Sequence, residues 1–239
     1  MQLSIILPTY NERKNLLHLI PHLENLIKKS GKKSEIIVVD DSSPDGTADV
    51  ARNLNKKYKN IRLISRQKKE GMGAAIKAGY DSARGGILAS IDVDSLGANE
   101  IEKMLDKLHE GYDLVVGSRH IREGLYKKSF IKTFIKNIVS SSGNKLARLV
   151  IGIDVTDFSL NCRAMKKKVW KSINVSEKGN SFMLETVVKA HFAGFRIGEV
   201  PVVFNERKYG KSKLNLTLQS CLFLRNLIAY SLKYRLKLL

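Results

Sequence analysis

Cysteine is almost absent from this chain of 239 residues. The two present, Cys162 and Cys221, make neither a disulfide framework nor a metal-ligand cluster, which points to a reducing, cytosolic compartment. The N-terminus, MQLSIILPTYNE, lacks a basic leader region and a small-residue cleavage site, so it reads as a first strand and not a signal peptide. The first strand-to-helix turn lacks GxGxxG, and GxxxxGK[ST] occurs nowhere, which disfavours ordinary dinucleotide and P-loop folds. Near the C-terminus, LNLTLQSCLFLRNLIAYSLKYRLKLL has no uninterrupted apolar run of about twenty residues, because Asn215, Thr217, Gln219, Ser220, Arg225 and Asn226 interrupt it. A helix lying in a membrane interface suits it better than a spanning one. No internal repeat or low-complexity linker divides the chain.

Acidic residues are also scarce. Against 42 Lys and Arg there are 23 Asp and Glu, giving a formal net charge of +19. Such a balance suits nucleic acid, an anionic membrane surface, or a salty or hot cell. From Arg207 onward the chain has eight Lys or Arg residues and no acid. An end that is both basic and apolar favours the membrane. Nucleic acid is disfavoured: no reader motif or aromatic–basic interleaving occurs, and acidic clusters at strand ends would repel phosphate unless a metal lay between.

Short apolar runs alternate with amphipathic segments along most of the chain. LSIILP, EIIVVD, IRLISR, GGILASIDVD and DLVVGSR read as strands. NERKNLLHLIPHLENLIKK, a segment from Thr47, GMGAAIKAGYDSA and NEIEKMLDKLHEG read as the helices between them. This is the pattern of an α/β fold, a mixed, mostly parallel sheet flanked by helices. After Arg119 the pattern predicts an amphipathic helix around Phe130, Phe134 and Ile138, continuing or joining a second near Gly143. A further helix is predicted over NSFMLETVVKAHFAG, a strand pair or bent strand over GFRIGEVPVVF, and a polar loop over RKYGKSK. The expected partition is one catalytic domain, residues 1–213, and a basic amphipathic extension, 214–239.

Acids collect just after the strands, where parallel sheets bind ligands. Asp92 and Asp94 follow ILASI, and residues two apart in an extended chain address one side. Their repulsion is relieved by a divalent cation, and oxygen ligation suits Mg²⁺ or Mn²⁺ with phosphate and water completing the shell. The alternative is a solvated turn before the helix at Asn99. In PTYNE, Pro8 stops strand pairing, Tyr10 offers a flat ring and Glu12 an acceptor for a base or ribose hydroxyl. Packing and a helix-dipole role are the plain alternatives for these residues. Asp40 and Asp41 stand at another strand end, with Asp45 and Gly46 as the supporting turn. No histidine has a convincing general-base setting.

In this order, LPTYNE, VVDDSSPDGT, EGMGAAIKAGYDSARG, the Asp92/Asp94 pair, VVGSR, SSSGN, VTDFSLNCRAM, FMLE and ERKYGKSK resemble the inverting family 2 glycosyltransferases. Within that family the chain is most similar to dolichol-phosphate mannose synthases, over roughly residues 3–213. The resemblance implies a GT-A fold and transfer of a sugar, mannose from GDP-mannose favoured, to dolichyl or polyprenyl phosphate. It places Pro8, Tyr10, Glu12, Asp40 and Asp41 at the nucleoside, and Asp92 and Asp94 on the metal. Arg119, Arg207 and Lys213 would meet phosphate, the last two from a loop that closes over the donor. Lys136, Ser140, Asn144, Asp157, Arg163 and Glu185 fall to the acceptor or sugar. For Asp157 and Glu185 the roles on offer are recognition of a sugar hydroxyl or pairing with Arg163, and a structural reading fits them equally well. A lipid phosphate arrives anionic and needs no general base, in agreement with the histidines.

Three positions depart from the family pattern. Leu96 replaces a polar residue after the aspartate pair, Leu160–Arg163 reads Leu-Asn-Cys-Arg in place of Ser-Gly-Phe-Arg, and Lys136 replaces an arginine, losing its bidentate fork. They leave open a family 2 enzyme using UDP-glucose or UDP-N-acetylglucosamine with a lipid-phosphate or glycan-hydroxyl acceptor, and a catalytically silent nucleotide-sugar binder. The helix at 130–139 and the tail are expected on the cytoplasmic face of an anionic membrane. The tail's other reading is packing on the domain or homodimerisation through Leu222, Leu227, Ile228 and Leu232.

Overall fold

The computed structural model describes residues 2–31, 33–94, 97–121, 142–203 and 216–235. Among them the chain alternates strand and helix as the sequence pattern predicts: β1 (Leu3–Thr9), α1 (Arg13–Ser30), β2 (Ser34–Asp40), α2 (Thr47–Tyr58), β3 (Ile61–Ser65), α3 (Met72–Ser82), β4 (Ile87–Ile91), α4 (Ala98–His109) and β5 (Leu114–Ser118). The described chain resumes with helix α5 (residues 142–151), then β6 (Cys162–Lys166), α6 (Lys167–Ser172), α7 (Ser181–Phe192), β7 (Ile197–Pro201) and α8 (Leu216–Arg235). The predicted helix at 130–139 and the RKYGKSK loop lie outside the described residues, as do Leu96, Lys136, Ser140, Arg207 and Lys213.

Seven strands form one sheet in the order β3-β2-β1-β4-β6-β5-β7. Only β6 runs against its neighbours β4 and β5. Successive residues of a strand face opposite sides, and the core divides accordingly. Leu3, Ile5 and Leu7 join α1, α2 and α4 through Leu16, Val50 and Met104. Ile6, Val39 and Leu88 join α3, α5, α6, α7 and α8 through Ile76, Ala147, Trp170, Leu184 and Leu227. Strands buried on both faces explain why their sequences are continuous apolar runs.

Two details differ from expectation and a third chooses between alternatives. β6 and α6 were not foreseen, since CRAMK has no β-branched residue and carries a buried arginine. Of the two readings of GFRIGEVPVVF, the described residues carry the single strand, β7. Pro8 stays inside β1 and pairs in register with Val39 of β2, while pairing to β4 runs only from Leu3 to Ile6. Proline therefore ends the ladder on one side only. β1 and β4 are the strands between which the order reverses, the place where open α/β sheets leave a ligand crevice.

Candidate active site

The carboxyl ends of β1 to β5 all meet one edge of the sheet. At the end of β1, Asn11 takes a positive φ of 60° and its N–H donates to Ser43 Oγ at 2.8 Å. Asp45 holds the start of both neighbouring helices: its Oδ2 accepts from Arg13 N–H at 3.2 Å and its Oδ1 from Thr47 N–H at 3.0 Å. Burial alone would raise the Asp45 pKa, yet the Thr47 hydroxyl and these amides hold it below the usual carboxylate range. Glu12 N–H donates to Thr47 Oγ1, and the Glu12 carboxylate accepts from Asn15 Nδ2 at 2.6 Å. Tyr10 is half-buried beneath Lys69, whose Nζ lies 4.1 Å from the ring centroid.

The two adjacent aspartates at the end of β2 divide their work. Asp40 accepts from Ser43 N–H and Oγ and from Thr9 Oγ1, so it builds the turn. Asp41 faces Arg66, whose Nη1 donates to Oδ1 at 2.9 Å while Nη2 donates to Glu70 at 2.6 Å. Burial raises the Asp41 pKa, outweighing the Arg66 guanidinium, and the charge of Asp40 adds to the rise. Arg66 has no counterpart in the sequence reading. Its signal was position, one residue beyond the end of β3.

Asp92 and Asp94 sit beyond β4 in a turn, not in an extension of the strand as expected. The alternation survives the turn. Val93 is buried, and both aspartates flanking it are half-exposed. Asn161, at the entry to antiparallel β6, donates from Nδ2 to Asp92 Oδ1 at 3.1 Å and accepts Asp92 N–H on its carbonyl at 3.1 Å. Two half-exposed carboxylates make an all-oxygen donor set suited to Mg²⁺ or Mn²⁺, with room for water and phosphate oxygens. Among the described residues no group of three or more His, Cys, Asp or Glu side chains gathers as a closed metal cage.

Arg119, just past β5, reaches the loop that leads into β6. Its Nε and Nη2 grip the two oxygens of fully buried Asp157 at 2.7 and 3.0 Å, and Nη2 also donates to Ser159. Burial would raise the Asp157 pKa, but the Arg119 guanidinium and its hydrogen bonds hold it low. Asn144 of α5 accepts Phe158 N–H and lies 3.4 Å from Asp157 Oδ1. Glu199 of β7 accepts from the N–H groups of Thr156 and Asp157, fixing the same loop. Beside them His120 is half-buried, its Nε2 4.0 Å from Asp157 Oδ2. Burial lowers the His120 pKa against the opposing pull of Asp157, so the ring is neutral near pH 7. The sequence reading passed over His120, though it follows Arg119 directly.

Two expected site residues are fully buried. Arg163, within β6, donates to the carbonyls of Met183 and Leu160 and makes no ion pair with Asp157 or Glu185. Glu185, also fully buried, accepts from Ser176 and Glu177 and pairs with Lys189 at 2.6 Å. Both tie α7 to its surroundings.

A carboxylate-lined crevice at a topological switch point, with an oxygen donor pair beside it, is a nucleotide-sugar site in outline. The model of the family described as "Glycosyl transferase family 2" matches residues 4–173. The chain belongs to glycosyl transferase family 2. It is 32% identical over 219 residues to a polyprenol monophosphomannose synthase of Mycolicibacterium smegmatis, covering 88% of this chain and 80% of the relative. A dolichol-phosphate mannosyltransferase of Pyrococcus furiosus is 31% identical over 217 residues, 90% of this chain; the match spans 59% of that longer protein. Among solved structures, glucosyl-3-phosphoglycerate synthase from Mycobacterium tuberculosis, in complex with Mn²⁺, UDP and phosphoglyceric acid, superposes with a TM-score of 0.71 at 19% identity. That likeness covers 98% of this chain and 78% of the other, and it establishes a shared fold. The transferase is thus a family 2 enzyme with a GT-A-type α/β sheet, acting on a nucleoside-diphosphate sugar.

Proposed function

We propose that this transferase moves a hexose, with inversion, from a nucleoside-diphosphate sugar to an acceptor oxygen, with the donor diphosphate held at Asp92 and Asp94. The observation that carries the reading is the convergence of the ends of β1, β2 and β4 on one crevice. Pro8, Tyr10 and Glu12 stand at or just past the end of β1, Asp41 at the end of β2 beside the turn that Asp40 holds, and Asp92 and Asp94 beyond β4; the reading gives the first four to the nucleoside and the last two to the diphosphate. Bound there, Mg²⁺ or Mn²⁺ supplies charge neutralisation for the leaving nucleoside diphosphate. The chain's own part is to align acceptor oxygen, anomeric carbon and leaving oxygen, which can lower the barrier by up to about 7–11 kcal/mol. The family resemblance assigns Arg207 and Lys213 to phosphate in this scheme, and Lys136 and Ser140 to the acceptor. Asn144 and Asp157 act through Arg119, which they hold in place.

Two acceptors compete. The names of the two relatives support mannose as the sugar and a polyprenyl or dolichyl phosphate as the acceptor, the reading that the family resemblance pairs with GDP-mannose. The geometry around β5 favours the other, a hydroxyl acceptor, and the UDP bound in the glucosyl-3-phosphoglycerate synthase structure supports pairing it with a UDP-sugar donor. Arg119 is already committed to Asp157, and neutral His120 beside that carboxylate is the group a hydroxyl would use as its base. A purified-enzyme assay with GDP-mannose, UDP-glucose and UDP-N-acetylglucosamine, each against polyprenyl phosphate, polyprenol and glycan acceptors, separates them. His120→Gln should leave transfer to a phosphate within a few-fold of wild type. It should cost about 10²–10⁴-fold with a hydroxyl. Asp94→Asn should nearly abolish transfer and metal-dependent donor binding with either acceptor. Full activity of that variant at low metal would remove the metal-binding assignment.

The described helices include none long and apolar enough to cross a membrane. We place the enzyme at the cytoplasmic face of an anionic membrane through α8, which presents Leu224, Ile228 and Leu232 to the outside together with Arg225 and Lys233.

A further inference from the structure

A buried chain of hydrogen bonds runs from the core to the aspartate pair. Tyr80 of α3, Ser90 of β4 and Asn161 are almost wholly enclosed. Tyr80 Oη lies 2.7 Å from Ser90 Oγ, Ser90 Oγ donates to Asn161 Oδ1 at 2.7 Å, and Asn161 Nδ2 donates to Asp92 Oδ1 at 3.1 Å. A hydroxyl has one proton. Because Ser90 spends its own on Asn161, Tyr80 must be the donor to Ser90, and the chain has one direction. The Asp92 carboxylate, which only accepts, sets that direction: it turns the Asn161 NH₂ toward itself and so the amide carbonyl toward Ser90. The reverse orientation would set a carbonyl oxygen against Asp92. Asn161 also binds Asp92 through the main chain, its carbonyl accepting the Asp92 N–H. One residue thus clamps both the backbone and one carboxylate oxygen of Asp92.

From this we infer that Asn161 is a positioning residue for Asp92: the Tyr80–Ser90–Asn161 relay orients the carboxylate for a divalent cation and so sets metal affinity. The inference rests on the reading of Asp92 as a ligand of that cation. Groups that orient metal ligands typically change affinity by about 10- to 100-fold when removed. The relay depends on the antiparallel insertion of β6 between β4 and β5, which delivers Asn161 to the end of β4.

The test is Mn²⁺ titration followed by electron paramagnetic resonance on the full chain, with saturating GDP or UDP, whichever raises the melting temperature. Nucleotide affinity without metal is measured in parallel, because a general loss of fold would move both. Asn161→Ala should raise the Mn²⁺ Kd about 10-fold or more while metal-free nucleotide affinity stays within twofold of wild type. Ser90→Ala, a smaller change that frees the amide to turn over, should give a lesser rise of the same kind and decides the matter alone if Asn161→Ala does not fold. Unchanged Mn²⁺ affinity in the folded variants overturns the inference while leaving the metal site intact, provided Asp92→Asn abolishes binding. If wild type binds no Mn²⁺ with either nucleotide, or Asp92→Asn binds it as tightly, the metal reading itself fails and the inference with it.

Discussion

The residue that most clearly changes character between sequence and structure is Arg119. Read alone, it is a cation at a strand end awaiting phosphate. In the fold its guanidinium is a two-point clamp on an aspartate with no solvent exposure. Breaking a buried pair from one side leaves an uncompensated charge, at a cost of about 3–5 kcal/mol. Arg119→Ala should therefore lower the melting temperature at neutral pH by on the order of 10 °C for a domain of this size. The pH dependence has a definite sign. The Asp157 pKa is depressed in the folded state, so the pair's contribution is complete above the unfolded carboxylate value of about 3.9 and is lost as pH falls through the folded value. Melting curves of wild type and Arg119→Ala should lie far apart at neutral pH and converge in acid. A constant gap would show that Asp157 is not the charge being stabilised. Asp41, at the end of β2, has the opposite shift, since burial there outweighs Arg66.

Among elements, the strands and helices up to β5 were legible because each is a continuous apolar run or a stripe at helical spacing. β6 was not. It lies between two strands and buries Arg163, whereas the sequence signal for a strand is apolar, β-branched and bounded by turns. That one strand accounts for much of what was hidden in the site. The acids at strand ends could be picked out from position, but their partners are remote in sequence: Arg119 with Asp157, and Asp92 with Asn161. Only the antiparallel return of β6 brings the 153–161 loop to the carboxyl edge. The packing of α3 carries a prediction of its own. A Cβ on Gly73 would lie 2.5 Å from Phe182 Cβ and 2.6 Å from the Gly179 carbonyl oxygen, so the first turn of α3 touches the approach to α7 backbone to backbone. Ala74 N–H donates to the Lys178 carbonyl across the same contact at 2.9 Å. The higher helix propensity of alanine cannot offset this clash, and Gly73→Ala should destabilise by about 1–3 kcal/mol. Chemical denaturation with an unchanged m-value would measure it. Neutral or stabilising behaviour would mean that the loop before α7 yields.

At the scale of the molecule, the C-terminal helix joins the fold and the surface at once. One side of α8 places Leu227 in the core and stacks Tyr234 on Phe192 of α7, with ring centroids 4.7 Å apart. Phe223 and Tyr230 pack on that same side. Four residues apart on another side, Leu224, Ile228 and Leu232 are 41%, 59% and 57% exposed. Helical geometry puts the two apolar stripes about a third of a turn apart, and only the first is covered by the domain. A helix apolar on a second face calls for a further apolar surface. Its Arg225 and Lys233, in a chain of net charge +19, make an anionic bilayer the proposed partner. The two stripes predict separable effects. Leu227→Ala should cost about 2–5 kcal/mol of stability and leave binding to anionic liposomes unchanged at temperatures where it is folded. Ile228→Glu with Leu232→Glu should leave the melting temperature within a few degrees and remove most co-sedimentation with anionic vesicles. Arg225→Gln with Lys233→Gln should weaken binding by roughly 1 kcal/mol per charge, and high salt should reproduce that loss in wild type. Deleting the whole helix would strip the core of Leu227 and confuse the two roles. Equal sedimentation of the Ile228/Leu232 double variant and wild type would assign the membrane contact to another surface. A shift from dimer to monomer in that variant, with no lipid binding in either form, would instead identify the outer stripe as a contact between copies.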